Sequence, residues 1–375
     1  MTRRVPSNLG EPALRRVTAF LFPVLLLAPA VLLLSCDGSS GQPPLVIMSY
    51  NVNNLFDDVD DGTEYPEFDP GRGRWGSEEF EAKLRAIAEV IRKACPGGPD
   101  VVALQEVERE NALERLGEGP LRRLGYRHRA LVPTPDLAAH CALLSRHPIS
   151  RVGALDPGRT TSGGRQRAIL EVEIRAHGHS LYVLNNHWKS KSGGAEVTEP
   201  DRRDSAHVLG RRLTTLLERD PDADIVVLGD FNENVDEYLE VQSRYLTALM
   251  PAPTLVALAG IASEGRPPGD VLFITDRPEE AGLRDGAVLL FDLWHTLPRK
   301  SWGSYVYRGR WHTPDHILLT PGLFDGRGFV YRPGSFRVLW YDDRLRPGTG
   351  SPSRAADRPY SDHLPLLVTM DVGRD

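Results

Sequence analysis

Basic residues are in the minority in this chain of 375. Lys and Arg number 45 against 51 Asp and Glu, a formal net charge of −6. The first 36 residues hold four Arg and one Glu, which is +3, so the remainder carries −9 (−6 minus +3). That balance excludes the broad cationic surface with which a protein grips nucleic acid through many phosphates. It leaves room for a local, metal-assisted contact with a phosphoester. Cysteine is scarce too, with three in all: Cys36, Cys95 and Cys141. Two cysteines beyond the leader make no disulfide framework. In an oxidising compartment Cys95 and Cys141 can pair, and two buried free thiols are the preferred reading. Internal repeats and long polar tracts are missing. With 41% apolar and 26% charged residues, a sizeable core is expected and disorder is not. The length suits one large α/β domain.

What is present begins with a leader. Arg3, Arg4, Arg15 and Arg16 precede an apolar run from Val17 to Leu34 that closes on Leu33-Leu34-Ser35-Cys36. These are the charged start, hydrophobic middle and small-residue cleavage site of a secretory signal. The cysteine directly after it resembles the bacterial lipobox, which implies lipidation at Cys36 and an exported protein anchored on the extracytoplasmic side, periplasmic or at the cell surface. An uncleaved transmembrane anchor is the alternative, since about 18 apolar residues is a borderline span, but it gives Cys36 no role. In both cases the rest of the chain is held at a membrane, and in the first the acyl chains supply the anchoring. Residues 37–44 read as a flexible tether, and residues 45–375 as one catalytic domain.

Within that domain short apolar runs recur at Leu45 to Met48, Val101 to Leu104, Cys141 to Leu144, Ala168 to Ile174, Leu181 to Leu184, Ile225 to Leu228, Ile317 to Leu319 and Leu364 to Val368. Their length and β-branched content predict strands. Phe80, Leu84, Ile87, Ile91 and Ala94 recur at helical spacing, with a start at Ser77. Residues 201–218 form a second amphipathic helix. The stretch 261–287, which includes Val271 to Ile274, reads as a loop and a strand. Strands interleaved with helices give an α/β class.

The chemistry lies at the strand ends. Asn51 follows the first run, Gln105-Glu106 the second, Asn185-Asn186-His187 the fifth and Gly229-Asp230-Phe231-Asn232 the sixth. Asp315 opens the next strand, and Asp362-His363 precede the last. Taken singly, each has a plain alternative: Asn51 a turn former, Glu106 a solvated side chain like Glu108 and Glu110, His187 a satisfied histidine, Asp230 and Asn232 a cap, Asp362-His363 a surface turn. Together they supply acidic oxygens for a hard divalent ion, two histidines, and amides able to orient water or phosphate. A metal ion and a protonated histidine offset the charge that protects a phosphodiester from attack, and a carboxylate can accept the proton of the attacking water.

Ser49-Tyr50-Asn51-Val52-Asn53-Asn54-Leu55-Phe56, Leu104-Gln105-Glu106-Val107, Asn186-His187-Trp188-Lys189, Gly229-Asp230-Phe231-Asn232, Asp315-His316-Ile317-Leu318 and Ser361-Asp362-His363-Leu364-Pro365 occur in the order of the endonuclease/exonuclease/phosphatase superfamily. The chain resembles that deoxyribonuclease I-like group from about Leu45 to Val368. The resemblance implies two packed mixed β-sheets with helices on both outer faces. It implies Mg²⁺ or Mn²⁺ at Glu106, with Asn51 and Asp362 close by. It implies that Asp230 orients or deprotonates the water and that Asn232 holds water and phosphate. His363, placed by Asp315, would stabilise the phosphate oxygens, and His187 would act on the phosphate or leaving group. Members that repair abasic DNA carry Asp where this chain has Asn53 and Tyr where it has His187. The histidine is similar to the deoxyribonuclease I and sphingomyelinase branches instead.

Weaker candidates surround this set. Arg165 and Arg167 offer phosphate contacts or a solvated loop, and Lys189 and Lys191, close after His187, offer positive potential at the cleft, with Lys189 a further phosphate contact. Trp302, Tyr305, Tyr307 and Trp311 offer base stacking or packing. The acidic run Asp57, Asp58, Asp60, Asp61 offers a calcium loop or, preferably, a solvated one. The expected function is metal-dependent hydrolysis of phosphodiesters, with nucleic acid as substrate and no protein partner implied. A sphingomyelinase or phospholipase C-like action on lipid headgroups is the first alternative, and a non-catalytic binding lipoprotein the second.

Overall fold

A strand sends successive side chains to opposite faces, so runs apolar at every position need cover on both sides. That requirement shapes the architecture. In the computed structural model of the chain, which describes residues 41–261, 269–284, 286–340 and 360–374, Ile47, Val101, Ala103 and Leu143 pack into a core shared by two sheets. Met48, Tyr50, Val102 and Leu104 pack under helices on the other side. The leader, Cys36, residues 37–40 of the tether and part of the stretch 261–287 lie outside the described residues. The described residues from 41 onward belong to one compact unit, Gly38–Asp375.

The chain first lays down β1 (Leu45–Leu55), α1 (Ser77–Ala94), β2 (Val101–Val107), α2 (Glu110–Glu118), β3 (His128–Leu131) and β4 (His140–Ser145). Helix α1 buries Phe80, Leu84, Ile87 and Ile91 along one stripe. It carries Glu78 and Glu79 in its first turn and Arg92 and Lys93 in its last, which suits the helix dipole. The chain then builds β5 (Ile149–Leu155), β6 (Ile169–Ala176), β7 (His179–His187), α3 (Glu199–Arg219), β8 (Ile225–Asp230), β9 (Leu249–Pro251), β10 (Leu272–Thr275), β11 (Gly282–Arg284) and β12 (Ala287–Asp292). A small hairpin, β13 (Tyr305–Tyr307) and β14 (Arg310–His312), precedes β15 (Asp315–Leu319). Finally β16 (Phe329–Tyr331), β17 (Arg337–Val338) and β18 (Leu366–Val372) return to the first sheet.

Among the described residues the first sheet runs β16-β18-β1-β2-β4-β3, with β17 on β18, and the second runs β5-β6-β7-β8-β15-β12-β10-β9, with β11 on β12. Both are mixed: β1 and β2 are parallel, as are β7 and β8, while β18, β4 and β15 run against their neighbours. The sheets pack face to face, with α1 and α2 outside the first and α3 outside the second, as the family resemblance implied. Asn185 ties the two sheets together inside the core. Its Nδ2 donates to the carbonyls of Leu104 and Ala142 (2.9 Å each), and its Oδ1 accepts from Gln105 Nε2 (2.7 Å).

Each strand predicted from the apolar runs is present, and α1 and α3 cover both predicted helices. The short strands β3 and β9 carried no comparable signal, β12 has an apolar run, Ala287 to Phe291, that is not among the predicted strands, and β5 is an edge strand with most of its side chains exposed. Cys95 and Cys141 are both free, and Cys141 is buried in the inter-sheet core. Glu108 departs from its expected solvation. It is buried, its Oε2 accepts from the Asp57 amide at 2.7 Å, and burial pushes its carboxyl up to about 8. Asp57 is likewise buried, fixed by Asn111 and the Val59 amide. Arg109 lies among Asp57, Asp61, Glu64 and Glu108, supplying the countercharge for this acidic group.

Candidate active site

The two parallel strand pairs bring the polar residues to one level. Asn51 is in register with Gln105, His187 with Asp230, and Asp230 with Asp315. The strands also break their regular path there. The β1–β2 register shifts between Asn51 and Leu55, the β2–β4 register shifts between Leu104 and Val107, and Glu106 has a positive φ of 66°. Bulges of this kind re-aim side chains at sites. A left-handed backbone at a glutamate is a strained conformation that packing must sustain. Asn232 (φ 51°) is bent in the same way beyond β8. Gly229 precedes Asp230 because a Cβ there would lie 2.0 Å from the Asn186 carbonyl oxygen.

At the centre, Asn51 Nδ2 donates to Glu106 Oε1 (3.1 Å) and to Asp230 Oδ2 (3.0 Å), while its Oδ1 accepts from the Asn53 amide (2.9 Å). His187 Nε2 stands 3.7 Å from both Glu106 Oε1 and Asp230 Oδ2. His363 Nε2 stands 3.8 Å from Asp230 Oδ2, and its Nδ1 bonds Asp315 Oδ2 at 2.8 Å. Asp315 Oδ2 also accepts from Ser304 Oγ at 2.5 Å. Asp230 Oδ1 accepts from the Asn232 amide (2.9 Å), and Asn232 Nδ2 donates to the Trp188 carbonyl (3.2 Å). The structure thus brings Asn51, Glu106, His187, Asp230, Asp315 and His363 together, with Asn232 beside them.

The electrostatics separate the two histidines. Burial, reinforced by the cations of Arg167 and His363, holds His187 well below its usual range, so it is neutral. Burial also opposes charge on His363. The carboxylates of Asp315 and Asp230 overcome it and hold this imidazole protonated well above its usual range. Burial pushes Asp230 up to about 7, with Asp315 adding to the rise and His363 opposing it. A carboxyl near neutrality beside a fixed cation is the pairing expected of a base and an electrostatic stabiliser.

The carboxylates of Asp230 and Asp315 lie within 4.8 Å of the His363 ring nitrogens and could share a cation. Here the imidazole carries the positive charge, its Nδ1 bonds the Asp315 oxygen at 2.8 Å, and its Nε2 stands 3.8 Å from Asp230, an ion pair without a hydrogen bond. Glu106 and Asp362 are the carboxylates that the family resemblance gives to the metal, and both act on the Lys83 ammonium nearby. Both are only partly buried, which leaves space for the several waters Mg²⁺ retains when held by one or two carboxylates. Asn51 presents its amide nitrogen to Glu106 and Asp230, so in this arrangement it aims the carboxylates and offers them no competing oxygen.

Three supports escaped the sequence pattern. Lys83, on α1, donates from Nζ to the carbonyls of Asn53 (2.8 Å) and Tyr360 (3.1 Å). Burial lowers its pKa to about 8, against the pull of Glu106 and Asp362. Ser361 Oγ donates to the Asn51 carbonyl (2.7 Å) and accepts from the His363 amide (3.0 Å), and Ser304 braces Asp315. Lys83 and its partners, and Ser361 and the Asn51 carbonyl, lie 30 to 310 residues apart, where no local spacing signals them. Of the weaker candidates, Arg165, Arg167 and Lys189 line a cavity of about 210 Å³ with His187, Thr160 and Ser162. The buried Nε atoms of both arginines and Nδ1 of His187 have no partner there. Lys191 pairs with Glu237 instead, at 2.5 Å. Trp302 and Trp311 pack against the core, Tyr305 lies 4.6 Å from His363 ring to ring, and Tyr307 is exposed.

The sequence profile of the Endonuclease/Exonuclease/phosphatase family matches residues 46–248. No curated protein matches the chain. Among solved structures, truncated TDP2 from Caenorhabditis elegans superposes with a TM-score of 0.50 at 14% identity, covering 88% of this chain and 98% of that one. TDP2 from D. rerio, complexed with single strand DNA product, gives a TM-score of 0.50 at 14% identity, covering 88% of this chain and 100% of that one. Sphingomyelinase C from Streptomyces griseocarneus gives a TM-score of 0.48 at 16% identity, with 88% and 99% covered. The likeness to the two TDP2 structures is one of fold.

Proposed function

Because the chain belongs to the endonuclease/exonuclease/phosphatase family, we propose that it is a divalent-metal-dependent phosphodiesterase acting on extracytoplasmic nucleic acid. The observation that carries the hydrolytic reading is the convergence of a carboxyl near neutrality, Asp230, with a cationic His363 and a neutral His187. Asp230 takes the proton of a water as its oxygen bonds to phosphorus and the ester P–O bond breaks. The backbone bond from Asn232 fixes the Asp230 carboxylate, and the Asn232 side chain, held by the Trp188 carbonyl, would orient water or phosphate. His363 offsets the charge growing on the phosphate oxygens, and Asp315 keeps its ring oriented and charged. His187, whose Nε2 lies 3.7 Å from Asp230, would act on the phosphate or the leaving oxygen, which takes its proton from solvent. Glu106 and Asp362 would hold Mg²⁺ or Mn²⁺, which supplies a Lewis acid for the phosphate.

Nucleic acid is favoured over a lipid headgroup by the cavity beside His187. Arg167 and Lys189, with Arg165 that Asp156 already pairs, make it a positive recess suited to a phosphate next to the reacting one. A phosphocholine headgroup would bring a permanent cation against these cations. We further propose export with lipidation at Cys36, on the leader sequence; Cys36→Ser should abolish incorporation of labelled palmitate, and unchanged labelling would refute the anchor. The substrate is tested by offering plasmid DNA, single-stranded RNA and sphingomyelin vesicles side by side, with Mg²⁺ and then with excess chelator. Metal-dependent cutting of a nucleic acid, absent in His363→Ala, supports the reading. Cleavage of sphingomyelin alone moves the same chemistry to membranes.

A further inference from the structure

The hairpin β13–β14 stands beside the reacting residues and is pinned to them at its base. The Ser304 carbonyl accepts from the Leu364 amide at 2.7 Å, and Ser304 Oγ bonds Asp315. Strand periodicity divides its side chains. Val306 is buried, so Tyr305 and Tyr307 share the opposite face. Across the ribbon, Tyr305 is in register with His312 and Tyr307 with Arg310. That face therefore carries Tyr305, Tyr307, Arg310 and His312. It begins at the catalytic centre, since the Tyr305 ring lies 4.6 Å from the His363 ring at an interplanar angle of 30°. His312 is anchored by Asn234 Nδ2 at 3.1 Å, close in sequence to Asn232. Farther out, Tyr307 is 50% exposed. The Arg308 guanidinium lies over one face of the Tyr307 ring, 5.1 Å from its centroid, so a base would take the other face or displace this arginine toward a phosphate.

We propose that this face is a stacking subsite for one or two unpaired bases of single-stranded nucleic acid, adjoining the reacting phosphate. The proposal rests on the phosphodiesterase reading of the site above. Two tyrosines two positions apart on a strand repeat at roughly 6.8 Å, one step outward from His363 toward solvent. A base has a π-face whatever its identity, and stacking on aromatic side chains tolerates sequence. Arg308 and Arg310, both exposed, place cations where the neighbouring phosphates would run. A duplex cannot use this face without unstacking, because its bases are already stacked on each other. The tip, Arg308-Gly309-Arg310, is cationic and carries no aliphatic side chain to enter acyl chains, which favours a nucleic acid strand over a bilayer.

The test is fluorescence anisotropy with the full chain and excess chelator, so that nothing is cut. A labelled oligothymidylate and a blunt mixed-sequence duplex of equal length are titrated against wild type, Tyr307→Ala and the double variant Arg308→Ala/Arg310→Ala. Tyr307→Ala should weaken single-strand binding by about tenfold or more and leave duplex binding nearly unchanged. The double variant should flatten the salt dependence of binding by about one log–log unit for each phosphate it no longer engages. Wild-type affinity of Tyr307→Ala for the single strand, or an equal loss on the duplex, overturns the subsite. So does wild-type binding to sphingomyelin vesicles with none to the oligonucleotide. Hydrolysis of bis(p-nitrophenyl) phosphate by the same wild-type preparation with Mg²⁺ reports separately on the phosphodiesterase reading. Its presence alongside a failed binding test removes the subsite alone, and its absence removes the reading on which the subsite rests.

Discussion

Replacing Asp315 by Asn probes the His363–Asp315 bond without removing a side chain. In the native site Asp315 Oδ2 accepts from both Ser304 Oγ and His363 Nδ1. Asn keeps an oxygen in that place and removes the charge. Hydrogen bonds to charged groups contribute roughly 1.5–3 kcal/mol, and His363 is buried and little screened. Loss of about 3 kcal/mol from the charged state of His363 corresponds to a fall in kcat of about 10²-fold at roughly 1.4 kcal/mol per decade. The sign of the pH effect follows from the same charge. His363 is held protonated above its usual range, so activity that needs the cation is lost as pH rises through its folded pKa. Without Asp315 that loss comes at lower pH. The assay is the pH–rate profile of bis(p-nitrophenyl) phosphate hydrolysis with Mg²⁺, for wild type and Asp315→Asn, with circular dichroism as a check on folding. A variant within about threefold of wild type, or an unmoved alkaline limb, would refute the role of Asp315 in charging His363.

Four further outcomes are expected. Asp230 titrates near 7 in the folded protein, so kcat/KM of the wild type should rise with pH through about 7, and a rate flat from pH 5 to 8 would deny it the role of base. Lys83→Met unties the Asn53 and Tyr360 carbonyls, and the Mn²⁺ dissociation constant from calorimetry should rise about 10–100-fold, as for other groups that hold ligands in place. Asn185→Ala strands Gln105 Nε2 and two carbonyls inside the core, and urea unfolding should show a loss of about 3–5 kcal/mol. Glu108 is raised to about 8 by burial, so its contribution to stability is lost as pH rises from its unfolded value through its folded one. Glu108→Gln should therefore raise the Tm at pH 9, with the gain shrinking toward pH 5.

The sequence made the reacting residues legible because they follow apolar runs short enough to be strands. A polar residue at the end of a rigid strand, as with Asp230 after Ile225 to Leu228, is where a sheet aims its chemistry. The bending that completes the aim was not legible. The left-handed backbone of Glu106 and the bulge after Asn51 depend on what the strands meet in three dimensions. Long-range partners were silent for the same reason: Lys83 and Tyr360 are 277 residues apart. Glu108 and Asp57 misled in the opposite direction. Carboxylates are usually solvated, and only the fold shows the Asp57 amide donating to Glu108, and Asn111 and Arg109 turned to Asp57. The hairpin tyrosines were visible as candidates, but only the strand register separates Tyr305 and Tyr307, which share a face at the site, from Trp302 and Trp311, which pack into the core.

The most direct test of the account is hydrolysis of bis(p-nitrophenyl) phosphate by wild type and by His363→Ala, each with Mg²⁺ and again after addition of excess chelator. The site geometry predicts turnover by the wild type with metal, its loss with chelator, and a fall of orders of magnitude in His363→Ala with the fold intact. Turnover by His363→Ala equal to that of the wild type, or wild-type turnover indifferent to the chelator, would contradict it.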